Sequence, residues 1–249
     1  MRSLPPIIAT IGPASYTPHI LRKLDMSGLG MARLNFSWGT HESHKEYIEN
    51  IRKNTQEVSI LQDLSGPRVV RDKDHTYNAY ASVFTEKDRE DLLFGLKEEV
   101  EWVALSFVRD SQDIREVRSF IQRHTPSTLP HLCAKIERPE AIENMEDIAK
   151  LSDALMIARG DLNSFLTPER IHEVIEKAME VSAVTNTPVC VATNLLTSMI
   201  ENSIPTPEEM EYIHVLKTLG IHALVLSNET ATGKHPVEAV RIAYQAFCG

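Results

Sequence analysis

The 249-residue chain is 42% hydrophobic with a formal charge of -9 at neutral pH, a balance that suits an ordinary globular protein and argues against a nucleic-acid surface. No stretch has the apolar length needed to span a bilayer, and the start MRSLPPIIATIG has no signal-like apolar run with a small-residue cleavage site, so a cytoplasmic protein with no membrane partner is expected. The three cysteines, Cys133, Cys190 and Cys248, fit neither a metal clip nor a disulfide framework and point to a reducing compartment.

In chain order, apolar runs at 7–11 and 30–34 read as strands, each followed by an amphipathic stretch, 17–26 and 41–53, that reads as a helix. The pattern repeats as strand and helix at 58–62 and 86–97, 102–107 and 111–123, then 132–136 and 139–150. Three further pairs follow at 154–158 and 168–184, 189–192 and 207–219, and 223–226 and 236–246. Several helices carry start signals: Thr17 precedes Pro18, Thr85 precedes Glu86, and Thr206 precedes Pro207 with Glu209 at the third helical position. Eight strand and helix pairs in strict alternation call for parallel strands and right-handed crossovers. The closed solution of that count is the (β/α)8 TIM barrel, an α/β fold of about 250 residues, here a single domain over 1–249. An open doubly wound sheet competes, but no glycine-rich GxGxxG follows the first strand. The connection 66–84, GPRVVRDKDHTYNAYASVF, is longer than compact domains usually allow. With Tyr77, Tyr80 and Phe84 it forms either a small lid over the barrel mouth or an excursion packed on the rim.

In TIM barrels the chemistry lies at the carboxyl ends of the strands. The residues that close these runs are polar: Arg33, Asn35 and Ser37 after the second, Asp63 after the third, Lys135 and Glu137 after the fifth. Arg159, Gly160 and Asp161 follow the sixth, Thr193 the seventh, and Ser227 and Glu229 the eighth. Each alone has a plain explanation as an ion pair or a helix cap. Six strands presenting polar groups at one end point instead to catalysis. Lys135 and Glu137, two apart in a strand, share a face. Glu137 and Asp161 offer hard oxygens to Mg2+ or Mn2+, Lys135 neutralises negative charge beside the metal, and Arg33 suits phosphate. Backbone amides around Gly160 and Asp161 suit a substrate carboxylate or phosphate. Asn35, Ser37 and Asp63 make a second cation site, while Thr193, Ser227 and Glu229 are placed to pass a proton. These arguments reach a metal-dependent enzyme acting on a small anion through an enolate or a phosphoryl transfer, with the substrate left open.

Eight motifs, in order, carry a resemblance: IIATIGPAS (7–15), MARLNFSWG (31–39), FTEKDREDLLFG (84–95), VALSFVR (103–109), AKIERPEAIENM (134–145), ARGDL (158–162), ATNLLTSMI (192–200) and LSNETATGKHPVEAV (226–240). From about residue 6 to 247 the chain resembles the catalytic barrel of pyruvate kinase. The resemblance implies phosphoryl transfer from phosphoenolpyruvate to ADP, giving pyruvate and ATP. It implies that Lys135 stabilises phosphoryl and enolate charge, that Glu137 and Asp161 bind Mg2+, that Thr193 holds substrate and that Arg33 contacts phosphate. Asn35, Ser37 and Asp63 match the family's monovalent-cation site, and Ser227 and Glu229 match positions near its proton donor.

The departures matter as much. The family's β-rich lid domain after the third strand is reduced to a short segment at 71–83, and its C-terminal domain, used for tetramer contacts, is not expected past the eighth helix. The family's Gly-Pro-Glu-Ile-Arg segment is Gly66-Pro67-Arg68-Val69-Val70, so Val70 stands where an arginine helps bind nucleotide, with Arg71 an imperfect substitute. Leu64 and Arg68 resemble the potassium-independent members, which argues against a K+ requirement. Trp38 replaces a histidine, and Asn163 and Asn228 replace glycines. Losing a lid removes water exclusion and part of the nucleotide clamp, so the kinase step is expected to suffer most and ADP use is the open point. The alternatives are a lid-less metal-dependent lyase that decarboxylates a 2-oxo acid such as oxaloacetate through enolpyruvate, and an inactive barrel kept for binding. A homo-oligomer through barrel helices is compatible with either.

Overall fold

The apolar runs become strands because both of their faces are covered. Ile7, Ile8 and Ala9 of the first, like Leu132, Cys133 and Ala134 of the fifth, leave almost no surface to water, which is what a parallel sheet with helices outside it and a packed interior requires. The structure, a computed structural model, describes residues 4–71, 74–78, 80–124 and 128–249, with the backbone alone at 69–71 and 74–76. The strands are β1 (Ile7–Thr10), β2 (Met31–Asn35), β3 (Ser59–Asp63), β4 (Arg68–Arg71), β5 (Asp74–Tyr77), β6 (Trp102–Leu105), β7 (His131–Ile136), β8 (Ala154–Ala158), β9 (Val189–Ala192) and β10 (Ala223–Leu226). Eight close a barrel in the order β1-β10-β9-β8-β7-β6-β3-β2, while β4 and β5 form a separate two-stranded sheet. The fold is the TIM barrel that the alternation predicts.

Two compact units make up the chain, one of Met1–Leu34, Thr40–Ile60 and Cys190–Gly249, the other of Asn35–Gly39 and Leu61–Val189. In the first, β1 pairs in parallel with β2 and β10, and β10 with β9. Its helices Pro18–Met26, His41–Asn54, Pro207–Thr218 and Pro236–Cys248 each bury an apolar stripe, such as Leu21 with Leu24 or Ile48 with Ile51. In the second, β3 pairs with β6, β6 with β7 and β7 with β8. Its long helices are Glu86–Lys97, Ser111–His124 and Pro168–Thr185.

Thr85 and Thr206 cap their helices as expected. Each accepts a bond from the backbone N–H three residues on, and the side chain of that residue, Asp88 or Glu209, accepts one from the cap's own N–H. Thr17 makes no side-chain cap bond, so Pro18 alone marks that start. The helix expected over 139–150 is two helices, Pro139–Glu143 and Met145–Ala149. Asn144 interrupts them: its backbone, at φ -93° and ψ 11°, leaves helical geometry, and its Nδ2 donates to the Arg109 carbonyl at 3.0 Å.

The 66–84 connection holds a hairpin, with Arg68 opposite Tyr77 and Arg71 opposite Asp74. Its aromatics divide: Tyr77 stacks on Phe107 with ring centroids 4.6 Å apart, Phe84 is buried edge-on to Phe120, and Tyr80 is exposed. Val70 and Arg71, which bear on nucleotide binding, lie outside the residues whose side chains are described. Among the described residues no helix is long and apolar enough to cross a membrane.

Candidate active site

In the second unit the register of three neighbouring strands brings the polar strand ends together. Asp63 closes β3 opposite Ala104 of β6, and Leu105 stands opposite Ala134 of β7, so Ser106 and Lys135 follow one residue further along adjacent strands. Alternation turns Lys135 and Glu137 to the same side. Lys135 Nζ donates to Ser106 Oγ at 2.7 Å and to Asp63 Oδ1 at 3.0 Å, and it lies 2.9 Å from Glu137 Oε1. Lys135 is 4% exposed, Asp63 1% and Glu137 not at all, so this is a fully desolvated cluster in which an ammonium holds two carboxylates.

The other Glu137 oxygen, Oε2, accepts a 2.7 Å bond from the backbone N–H of Phe107. Phe107 has φ +56°, a conformation rare for an aromatic residue, and the bend aims its N–H at the carboxylate. The hairpin keeps Phe107 in place. Tyr77 stacks on one side of its environment and the Arg68 guanidinium lies 5.2 Å from the ring centroid. Arg138 covers Tyr77 at 4.9 Å. Gly66, at φ +64°, makes the turn into the hairpin, and a Cβ there would come within 2.9 Å of the Phe107 ring.

Asp161 lies in a one-turn helix, Arg159–Leu162, that follows β8 directly. Arg68 Nη2 stands 3.3 Å from both of its carboxylate oxygens. Burial, more than anything else, pushes the Glu137 carboxyl up to about 7; Asp161 and Asp63 push the same way and the Lys135 charge opposes them. Three carboxylates therefore face one ammonium and one guanidinium, an excess of negative charge in a dry site.

That excess bears on whether a divalent cation fits. Among the described residues no group of three or more His, Cys, Asp or Glu side chains is arranged to hold a metal. The buried Glu137 Oε1 has the Lys135 charge opposite but no hydrogen bond of regular geometry. Two hard carboxylates, with Asp161 disfavouring the charge on Glu137, suit a small divalent ion that completes its shell with water and substrate oxygens. The residues present fit Mg2+ or Mn2+. Of Asn35, Ser37 and Asp63, expected to form a monovalent site, Asn35 Oδ1 accepts from the Ser37 N–H at 3.0 Å and Asp63 Oδ1 from Lys135. Leu64 is buried.

The first unit holds the other expected residues at the ends of its own strands. Arg33, 8% exposed, donates from Nη1 to Thr10 Oγ1 at 2.7 Å, and the Thr10 hydroxyl donates to the Leu226 carbonyl at 2.8 Å. Thr193 and Asn194 both have positive φ, +70° and +55°, at the sharp exit from β9. Glu229 is 2% exposed; burial pushes its carboxyl up, and the backbone N–H groups of Glu229, Ser227 and Leu196 oppose that rise. Ser227 precedes it with a buried hydroxyl that makes no hydrogen bond among the described residues.

Sequence reasoning passed over Ser106, Thr10 and the Arg68–Asp161 pair. Thr10 and Ser106 lie inside the runs read as 7–11 and 102–107, so no polar run end marked them, although the strands themselves stop at Thr10 and Leu105. Gly160 sits in the one-turn helix with Asp161. Asn163 has the right-handed values φ -58° and ψ -19°, and Asn228 opens a short helix, so neither position requires glycine. Trp38 is 65% exposed beside Ser37.

With this geometry in place, comparison with known proteins is informative. The family described as "Pyruvate kinase, barrel domain" matches residues 3–80 and 78–240. A protein named pyruvate kinase from Agrobacterium vitis is 33% identical over 322 positions, which cover 95% of this chain and 66% of the relative. One from Sporosarcina psychrophila is 31% identical, covering 94% and 55%, and one from Mycobacterium tuberculosis (strain CDC 1551 / Oshkosh) is 32% identical, covering 97% and 69%. The chain thus spans roughly half to two thirds of the length of these relatives. An alignment of 322 positions against 249 residues leaves at least 73 positions of the relative without a counterpart here. The family match divides at 78–80, just past β5.

Proposed function

The chain belongs to the pyruvate kinase family through its barrel domain, and from that premise we propose that it is a transferase that moves the phosphoryl group of phosphoenolpyruvate to ADP, giving pyruvate and ATP. The observation that carries the reading is the buried cluster of Lys135 with Asp63, Glu137 and Ser106, beside Asp161. A cytoplasmic enzyme is the setting we assign to it.

Glu137 and Asp161 would hold Mg2+ or Mn2+, which when bound polarises substrate oxygens and offsets developing negative charge. Lys135 presents its ammonium to the transferring phosphoryl group and to the enolate oxygen left behind. Asp63 and Ser106 fix the direction of Nζ, so no reorganisation is needed as that charge develops. Phe107, through its N–H, sets the Glu137 carboxylate. Arg33 contacts substrate phosphate and Thr193 and the amides at Gly160 and Asp161 hold the carboxylate end. Ser227 and Glu229 serve proton delivery to the enolate carbon, and burial shifts the Glu229 carboxyl toward the protonated form that can donate. Asn35, Ser37 and Asp63 keep the place of the monovalent site, with Arg68 supplying positive charge without K+. The 66–84 hairpin, which stacks Tyr77 on Phe107, the residue whose N–H binds Glu137, would take over part of a lid's water exclusion.

The decarboxylase alternative is the less favoured reading, because the matching relatives are named pyruvate kinases. The test measures Mg2+-dependent ATP formation from phosphoenolpyruvate and ADP beside oxaloacetate decarboxylation, in the wild type and in Lys135→Ala. ATP formation that vanishes in the variant supports phosphoryl transfer. Decarboxylation without ATP formation overturns it, and retention of both activities in the variant removes Lys135 from the mechanism.

A further inference from the structure

Arg68 pairs with Asp161 in a way that differs from the buried Arg138 of the same unit. Arg138 grips Glu140 with two nitrogens, Nε to Oε2 at 2.9 Å and Nη2 to Oε1 at 2.7 Å, the fork geometry of a lasting structural pair. Arg68 offers Asp161 a single nitrogen, 3.3 Å from both oxygens. The contact is long and shared, so it gives charge neutralisation with little of the directional hydrogen bonding that would fix it. Both side chains are nevertheless well buried, at 15% and 8% exposure, where charges act strongly on each other. A cavity of about 340 Å³ opens beside the guanidinium, lined also by Ser37, Ser65, Gly66, Thr85 and Lys87. Ser65 and Thr85 bind Asp88 there and Lys87 binds Asp91, so the open space leaves room for a guanidinium that has moved off its carboxylate together with the anion it meets.

We infer that Arg68 is the built-in counter-cation of Asp161, which a divalent metal has to displace, and that the displaced guanidinium then serves the anionic substrate. The inference rests on Asp161 being a metal ligand. A guanidinium and a dication on one carboxylate repel each other, so the metal alone binds against Arg68. An anion that takes up the guanidinium removes that opposition, and by linkage metal and substrate each strengthen the other's binding equally. Arg68 is in this sense a positioning residue that sets the order of assembly.

The test reads binding and not turnover. Free Mn2+ is titrated by electron paramagnetic resonance with and without saturating oxalate, a small planar dianion. In the wild type oxalate should tighten Mn2+ binding about tenfold, the middle of the usual range for coupled sites. Arg68→Gln should bind Mn2+ alone about tenfold more tightly than the wild type and show a smaller oxalate effect, since the share that passes through the guanidinium is lost while direct contact of oxalate with the metal remains. Lys87→Gln removes a charge from the same cavity, but one paired with Asp91; its Mn2+ affinity should stay within about twofold. If Lys87→Gln tightens Mn2+ as much as Arg68→Gln, only net charge is at work and the inference falls. It also falls if Arg68→Gln binds Mn2+ no better than the wild type while Asp161→Asn abolishes binding, a result that leaves the metal reading intact. Mn2+ binding unchanged in Asp161→Asn overturns both. Absence of any oxalate effect in the wild type overturns the inference without recourse to a variant.

Discussion

Replacing Lys135 by methionine keeps the length of the side chain and removes its charge from a site where three partners depend on it. Asp63 Oδ1 at 3.0 Å, Glu137 Oε1 at 2.9 Å and Ser106 Oγ at 2.7 Å lose their common cation. Breaking a buried pair from one side costs about 3–5 kcal/mol, because the remaining charge stays desolvated. The cost depends on pH through Glu137, whose carboxyl is raised from 4.5 to about 7. A carboxyl raised on folding contributes stability below its unfolded value and loses it as pH rises through the folded one. In the wild type that contribution is mostly present at pH 5 and gone by pH 8, a fall of roughly 2–3 kcal/mol at 1.36 kcal/mol per unit. Lys135 lowers the Glu137 value, so its removal moves the carboxyl higher still and extends the fall toward roughly 4 kcal/mol over the same span. Lys135→Met should therefore cost about 3 kcal/mol at pH 5 and a further 1–2 kcal/mol at pH 8. Urea unfolding at the two pH values, with chelator present and m-values compared, reads both numbers. Equal losses at pH 5 and pH 8, or a loss below about 1 kcal/mol at both, would refute the picture of a dry, carboxylate-rich site held by one ammonium.

Asp88 accepts from the N–H of Thr85 and of Gly66, each at 3.1 Å, so Asp88→Ala should cost about 2 kcal/mol in chemical denaturation and loosen the hairpin's base to proteolysis. A Cβ on Gly95 would sit 2.0 Å from Gln62 Oε1, whose amide also donates to the Asp91 carbonyl. Gly95→Ala should accordingly lose about 1–3 kcal/mol, most of it recovered in the double variant with Gln62→Ala. Glu229→Gln should separate stability from activity. Burial raises this carboxyl, so ionisation withdraws stability as pH rises, and the amide should be relatively more stable at pH 8 than at pH 5 while ATP formation drops.

The barrel was legible in the sequence because strands covered on both faces must be apolar throughout, and runs such as ALVL and VCVA have no other economical reading. Helix starts were legible where a threonine and an acid three residues on satisfy each other, as at Thr85 and Thr206. The break at Asn144 was not, since it depends on a carbonyl, that of Arg109, 35 residues away. The hairpin escaped for a related reason: RVVR and DHTY are four residues each, too short and too polar to carry a strand pattern alone. Lys135, Glu137, Asp63 and Asp161 announced themselves as charges ending apolar runs. Their partners did not, because Ser106 looks like an ordinary turn residue, and Arg68 meets Asp161 only once the barrel has brought positions 93 apart together.

The hairpin joins two fixed points of the second unit. Asn78 donates its N–H to the Pro67 carbonyl at 2.9 Å, so the ladder that begins at Arg68 and Tyr77 is closed one step further down. Just beyond, Thr85 and Asp88 lock the next helix and bind back to Gly66. Chain entering and chain leaving are thus pinned side by side, independently of what lies between them. Such a junction works as a socket: the family match divides at 78–80, and a whole folded module can be threaded in or taken out there at little more than the entropy of closing a loop. The pairing of β3 with β6 and of β6 with β7 involves none of the residues between those pinned ends, which makes what the junction carries a matter of cargo rather than of architecture.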